Sequence, residues 1–547
     1  MSGACGSRKT VLSTLIAAIA LATDMPLALA QGNVLEEVIV TARKREENLQ
    51  ETPVAVTALS ADALRDAGVR NLADLNQIAP NIEVSSANGT APLANIYIRG
   101  VGQRNTGPNI DSGVGIYIDE VYVGRPDGAL LDIYDIQSVQ VLRGPQGTLF
   151  GKNTTGGALV FTTNRPEDEF DFAVGGRFGN YDRADGNFMV NVPLTDTLWT
   201  RLAGSTVNSD GYIKNVYDGD KYMNEDRQNL VWQTRYVPAE SLTLDLNLNW
   251  AETKQNMRPQ KCVPVPGYRG WQAELFNTLA IVPSTGRTLD DFCQDAADVG
   301  DANTVISDLG GKYEAKNKGA SLVANWDLNE NISLKSISAW RYTDAEQDDE
   351  LDHVGLPFLH RTQGVHPQGQ PRKTDQYSQE FQITGNAVGD RLTYVAGVYW
   401  FNEKTKGETT VSFLGPFEPA LAGWLYLNAP STNLDADNDA LATFAQLEWA
   451  WTERWRSTLG LRYTEETRKL TRNRYQLIPD TLDANGGTVT PLFGSSGLYD
   501  RSPDFVYNPL FEYEFVDQTR ASNSDSDTTP MASVQYLMDG FEGIDAG

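Results

Sequence analysis

"LTLDLNLNW", residues 242–250, sets an apolar side chain at every second position: Leu242, Leu244, Leu246, Leu248 and Trp250 on one side, Thr243, Asp245, Asn247 and Asn249 on the other. Successive side chains of an extended strand point to opposite faces, so this stretch predicts a β-strand with one greasy and one wet surface. The same alternation recurs at 171–180, 183–193, 197–209, 226–237, 313–327, 331–345, 376–385, 391–403, 440–451, 455–468 and 529–539. Together these predict about twelve strands. Their connections alternate as well. Short turns, "PLTDT" (193–197), "PAES" (238–241), "LNEN" (328–331), "NAVGD" (386–390) and "TERW" (452–455), take turns with long polar loops at 255–312, 346–375, 404–438 and 469–527. A soluble sandwich has no reason to keep all its long loops at one end. A transmembrane antiparallel β-barrel does, with short turns on one side of the bilayer and long loops on the other. Trp250, Trp326, Trp340, Trp400, Trp449, Trp451 and Trp455, near strand ends, then read as interfacial girdles. A sheet in lipid must also close on itself, since an unpaired edge there has no water to satisfy it.

The start of the chain differs. Arg8 and Lys9 precede an apolar run from Val11 to Ala22, and "ALA" at 28–30 stands before Gln31, the three parts of a secretory signal peptide over 1–30. The run is about twelve residues, too short for a spanning helix of roughly twenty. Cleavage removes Cys5 and leaves Cys262 and Cys293, which in an exported chain suggest one disulfide closing a loop; a metal site would need further ligands nearby. A net charge of −27 argues against nucleic acid as a partner, because such binding neutralises phosphates.

Residues 50–166 read as a small, glycine-rich α+β domain. "SADALRDAGV" (60–69) predicts a helix capped by Ser60 and ended by Gly68, and "NLADLNQIAP" (71–80) a second one stopped by Pro80. "VAVTA", "IEVSS", "IYIRG", "GIYIDEVYV", "SVQVLRG" and "ALVFTT" supply short strands. The richest glycine run, "LRGPQGTLFGKNTTGGAL" (142–159), is not a phosphate-binding loop. Such a loop needs four residues between its glycines and a hydroxyl after the lysine, whereas only three separate Gly147 from Gly151, and Asn153 follows Lys152. Tight turns between short strands in a crowded space explain the glycines instead.

Taken in order, "EEVIVTARK" (36–44), "PVAVTALSADAL" (53–64), "LNQIAPNIEV" (75–84), "IYIRGVG" (96–102), "GVGIYIDEVYVGR" (113–125) and "VQVLRGPQGTLFGKNTTGGALVFTTNRP" (139–166) resemble the successive plug-domain motifs of TonB-dependent outer-membrane receptors. The resemblance implies a barrel of about 22 strands blocked by a plug. It places a TonB box and linker at 31–49, the plug at 50–166 inside the lumen, and the N-terminal part of the barrel at 167–547. The box is Glu36, Glu37, Val38, Ile39, Val40, Thr41 and Ala42, whose β-branched centre suits strand addition to a partner's sheet edge. Arg99 and Arg143 are expected to pair with carboxylates inside the lumen. Gly100, Gly144, Gly147, Gly151, Gly156 and Gly157 are expected to be structural.

The implied function is active uptake of a scarce or bulky ligand, a ferric siderophore or similar chelate, across the outer membrane of a Gram-negative bacterium. Its partners would be periplasmic TonB, outer-membrane lipid and an extracellular small molecule, with no cofactor and no catalytic residues. The gap between cleavage site and box leaves no room for the extra domain of receptors that also signal. Apical plug loops, "SSANGTAP" (85–92) and "GQRNTGPNIDSG" (102–113), carry Gln103, Arg104 and Asn105 as candidate ligand contacts. The three histidines, His353, His360 and His366, share one loop and read either as a haem or metal capture site or as exposed histidines with no ligand. Haem, another metal complex or an oligosaccharide are alternative ligands; a passive porin and a secreted β-scaffold enzyme are alternative classes, against which the plug motifs and the lack of a nucleophile motif speak. One departure stands out. The chain ends at "FEGIDAG" rather than in a strand with a terminal aromatic, so a fragment that does not transport by itself is expected.

Overall fold

The computed structural model describes most of the chain between Ile39 and Tyr536; residues 1–38, 41–42, 46, 49–51, 53, 88–90, 104–109, 126–133, 265–273, 275–276, 308–310, 351–352, 356–358, 364–371, 414–430, 480–510 and 537–547 lie outside the described residues. The signal-peptide reading of 1–30 falls wholly among these.

A 13-stranded antiparallel sheet dominates, running in chain order from Asp171–Gly179 to Phe511–Tyr536. Twelve of its members correspond to the alternating segments; the thirteenth, Leu359–Gln363, is a short strand between Ile332–Glu350 and Leu392–Phe413, inside a predicted loop. The strands are longer than their alternation. Phe511–Tyr536 pairs in register with Trp455–Pro479 through "DQTRASNSDSDTT" (517–529), which holds no large apolar side chain. The predicted loops 404–438 and 469–527 therefore begin and end as paired strand. Where both faces of a strand meet water, the ladder continues while the hydrophobic period that announces it disappears.

Which face is greasy settles what the sheet is for. Along Arg372–Ala387, Gln376, Ser378, Glu380 and Gln382 are buried, while Tyr377, Phe381 and Ile383 are exposed. Elsewhere Asn191, Arg201, Gln233, Glu403, Gln446, Glu448 and Arg462 are buried, and Phe172, Leu230, Trp232, Leu322, Val398, Leu441, Leu459 and Leu461 face outward. This is the inverse of a soluble protein. Leaving about ten such apolar side chains in water forfeits on the order of 15–30 kcal/mol, more than a typical domain's whole stability, so the outer face must contact hydrocarbon. Tryptophans mark its limits. Trp449 lies opposite Leu392 beside a short turn, and Trp400 opposite Leu441 eight positions up the same strand as Leu392, a rise of about 26 Å that fits the apolar band of a membrane barrel. Trp326, Trp400, Trp451 and Trp455 are exposed.

The concave face holds the N-terminal domain. Its five-stranded sheet runs Val56–Ser60, Ile136–Arg143, Gly157–Thr163, Val114–Ile118, Val121–Tyr122, with one parallel pair, and a second sheet joins Ile82–Ala87, Ala91–Ile98 and Val101–Gly102. Ser60 accepts from the Ala63 amide to start helix Ala61–Asp66, and Gly68 follows it at φ +69°. Leu72–Gln77 is a 3₁₀ helix rather than an α-helix, closed by a capping box between Asn71 and Asp74. Leu64, Leu72, Leu75, Ile98, Val139, Val141, Leu159 and Phe161 fill the core.

Above the sheet, Ile213–Asn215, Lys221–Tyr222 and Thr304–Val305 form a small three-stranded sheet over Ile213, Tyr222 and Val305. Cys262 and Cys293 are bonded, their Cα atoms 5.3 Å apart, which ties the segment after Leu242–Asn256 to helix Leu289–Asp298. The described parts of the long loop 255–312 thus form a folded cap.

Candidate functional site: the seam between plug and wall

Behind the TonB-box match the chain makes a cationic turn. Ile39 and Val40 pair with Asn48 and Glu47 in a two-residue antiparallel ladder, and Arg43, Lys44 and Arg45 lie between them. Arg43 donates to Glu47 at 2.8 Å and to Glu448; Lys44 pairs with Glu380; Arg45 reaches Glu448 at 3.3 Å. Arg43, Glu380 and Glu448 are all buried. The Lys44 ammonium also sits over the rings of Phe150, in the plug's glycine-rich loop, and Phe444, in the wall. Of the box, only Ile39 and Val40 are described; Glu36, Glu37, Val38, Thr41 and Ala42 lie outside the described residues.

Higher in the lumen, Arg125 of the plug gives Nε and Nη2 to the same Glu403 oxygen at 3.0 and 2.6 Å and reaches Asp111 at 3.3 Å. Asp111 accepts from Arg468 at 2.5 Å, and Glu466 accepts from Lys152 at 2.7 Å and Arg468 at 2.9 Å. Burial by itself would raise the Asp111 carboxyl, but Arg125, Lys152 and Arg468 hold it below the ordinary aspartate value. Tyr117, Tyr122, Phe150 and Phe401 pack edge to edge beside this network, and Lys152 stands 4.5 Å over Phe401.

The glycine-rich loop uses its own amides. Gln146 donates to Thr154 at 3.0 Å, Phe150 to Gln146 at 3.0 Å and Gly151 to Gly147 at 3.1 Å, so no phosphate cradle remains. At Gly151, φ is +86° and an added Cβ would lie 2.7 Å from the Arg462 guanidinium; glycine lets plug and wall touch there.

Two sequence expectations need correction. Arg99 and Arg143 do not pair with lumen carboxylates among the described residues. Arg143 donates to Thr57 of its own domain, and Arg99 is an exposed turn residue at φ +53°. The turn that carries Arg99 and the strand end that carries Arg143 lie side by side, and burial, together with the Arg99 charge, lowers the Arg143 pKa. The cations that pair with wall carboxylates are instead Arg43, Lys44, Arg45, Arg125, Lys152 and Arg165. The run "ARKREE" (42–47) and inward-phase glutamates at 380, 403 and 448 were the available signals.

The candidate ligand contacts are scattered. Gln103 is half-buried, while Arg104, Asn105 and His366 lie outside the described residues. His353 is a half-buried residue at φ +58°, and His360 lies in the strand Leu359–Gln363 opposite Glu350 and Ser412. Among the described residues no group of three His, Cys, Asp or Glu is placed to hold a metal ion.

The pattern described as "TonB-dependent Receptor Plug Domain" matches residues 48–158, and that described as "TonB dependent receptor-like, beta-barrel" matches residues 265–541. The chain belongs to the TonB-dependent receptor family. It is an outer-membrane β-barrel protein of the Gram-negative type, as its inverted burial requires. It is similar to the pesticin receptor of Yersinia pestis, 24% identical over 438 residues, covering 78% of this chain and 55% of that protein. It is also 24% identical over 300 residues to the catecholate siderophore receptor Fiu of Escherichia coli K12, covering 53% of this chain and 34% of Fiu. The ferric yersiniabactin uptake receptor FyuA from Yersinia pestis has the same fold, with TM-score 0.64 at 18% identity, over 89% of this chain and 62% of that one. The chain spans about half the length of the curated relatives it matches, 55% of the pesticin receptor.

Proposed function

We propose that this receptor takes part in TonB-dependent uptake of an iron chelate, a ferric siderophore or a similar anionic complex, across the outer membrane. The observation that carries the reading is the cationic turn Arg43–Lys44–Arg45, directly behind the TonB-box match, bound to wall carboxylates Glu380 and Glu448 and pressed against Phe150 of the plug. A pull on residues 36–42 reaches the plug and the wall through this turn. Relatives whose names specify a catecholate siderophore and ferric yersiniabactin favour an iron chelate over haem or an oligosaccharide. Transport here makes and breaks no covalent bond, so no catalytic group is called for.

Deleting residues 36–42 is expected to abolish uptake of a ⁵⁵Fe-labelled chelate by cells while leaving its binding to isolated outer membranes intact. Unchanged uptake in the deletion strain overturns TonB dependence. Isothermal titration with ferric catecholate, ferric citrate, haem, zinc and oligosaccharides identifies the ligand class; heat only with an oligosaccharide overturns the iron reading.

A further inference from the structure

The seam between the plug and strands Leu198–Ser209 through Ile332–Glu350 encloses a hollow. A cavity of about 110 Å³ separates plug residues Ile118, Ile136 and Phe161 from the wall strands between Leu198 and Glu350. Its origin is legible in the register. Ala203, Val231, Asn249, Gly319 and Arg341 lie directly opposite one another on five successive strands, all on the lumen face. Small side chains at Ala203 and Gly319 leave the gap, and the Asn249 amide extends into the space over Gly319, where an added Cβ would meet its oxygen at 2.6 Å.

One row below, the hollow has a floor. Arg201, Gln233 and Asn247 are likewise in register on three neighbouring strands, and each bonds the plug: Arg201 to Asp135 at 2.8 and 2.5 Å, Gln233 to Thr163 at 2.7 Å, Asn247 to Asp119 at 3.2 Å. One row above, Ser205, Asn229 and Asn317 add further hydroxyl and amide groups. Two cations line this chamber, Arg227, which pairs with Glu225 at 3.4 Å, and Arg341. The Arg341 guanidinium makes no ion pair among the described residues, although it lies on the lumen side beside Gln376.

We infer that this chamber is an intermediate binding site for an anionic, oxygen-rich small molecule on its way inward, with Arg341 as its charge anchor and the Arg201–Gln233–Asn247 row as the gate beneath it. Guanidinium and carboxamide groups offer donors to several ligand oxygens at once, the chemistry that suits a polycarboxylate or polyphenolate complex and rejects a cation. Amides hold such a ligand by neutral hydrogen bonds, each modest in net strength, so it is released again when the gate row lets go of the plug. At the other seam Arg125, Lys152 and Arg468 already have carboxylate partners at contact distance. The inference rests on the uptake reading above, but it is tested without ligand or TonB.

Asn249→Cys places a thiol in the chamber of the full-length receptor in outer-membrane vesicles. The anionic reagent 2-sulfonatoethyl methanethiosulfonate is expected to modify it at least about tenfold faster than the cationic 2-(trimethylammonio)ethyl analogue, each rate being scaled to that of a free thiol. The preference disappears in Asn249→Cys/Arg341→Gln and survives in Asn249→Cys/Arg341→Lys. Gly319→Val, which fills the chamber without altering charge, slows both reagents alike; heat-modifiable migration on gels reports that each variant is folded. Equal rates, or faster modification by the cation, overturn the chamber while leaving the uptake reading standing; loss of uptake dependence on residues 36–42 overturns the latter alone.

Discussion

The plug meets its wall along two unlike seams. Toward strands Arg372–Ala387 through Trp455–Pro479 the contact is ionic and aromatic: Arg125 with Glu403, Lys152 with Glu466, Lys44 with Glu380 and between two rings. Toward strands Leu198–Ser209 through Lys312–Asn329 it mixes amide bonds from Gln233 and Asn247 with the ion pairs Arg201–Asp135 and Arg165–Asp245, beside a cavity. The difference is one of strength and of reversibility. Breaking a buried ion pair strands a charge at low dielectric, whereas parting two amides exposes groups that water satisfies at once. A plug fastened this way is expected to yield first on the amide side.

The largest effect is expected from Arg125→Ala. It leaves Glu403 without its guanidinium and Asp111 with Arg468 alone, and should destabilise the plug by about 3–5 kcal/mol, read as faster protease cleavage and hydrogen exchange over 111–125. Gln233→Leu on the other seam should cost no more than about 1–2 kcal/mol by the same measurement. Equal effects would erase the distinction between the seams. Next comes the double substitution Glu380→Gln/Glu448→Gln. It removes the carboxylates that hold Arg43 and Lys44 and should free the turn by about 2 kcal/mol, roughly thirtyfold in population, detected as faster tumbling of a spin label at Val40→Cys. An unchanged spectrum would mean that the ring contacts of Lys44 suffice.

The smallest effect is with pH. Burial raises the Asp119 carboxyl above its ordinary value despite bonds from Thr163, so its protonated form is favoured in the folded plug. Its contribution is therefore complete at low pH and declines as pH rises through that raised value. Asp111 is lowered, so its contribution is present at neutral pH and lost only as pH falls below the ordinary range of about 4. Between pH 7 and about pH 4.5, exchange of amides at 160–163, corrected for intrinsic rate, should slow, and that of amides at 111–113, beside Asp111, should not change. Faster exchange at 160–163 on acidification would contradict the assigned direction.

Much of this architecture could be read from residues alone. Alternation in "LTLDLNLNW" located a strand whose Asp245, Asn247 and Asn249 do face the lumen and whose Leu246 is exposed. Ser60 and Gly68 marked the ends of a helix correctly, because a cap is a local hydrogen bond. The strand tops around 404–409 and 517–529 were missed because polar residues fill both phases of the alternation, so the sequence carries no hydrophobic contrast there. Arg99 and Arg143 were placed in the wrong pairs for a different reason: motif position says which domain an arginine belongs to, not which way its side chain leaves the chain.

What the chain's own order of residues settles is phase. A period of two assigns every strand residue to lipid or lumen, and glycine spacing excludes a phosphate loop, since both depend only on neighbours in sequence. Which lumen residue meets which plug residue depends on register between strands far apart in the chain. Only that register put Arg341 beside Gly319 and an empty space, and gave Arg125 to Glu403, because electrostatic pairing is decided by distances that folding alone creates.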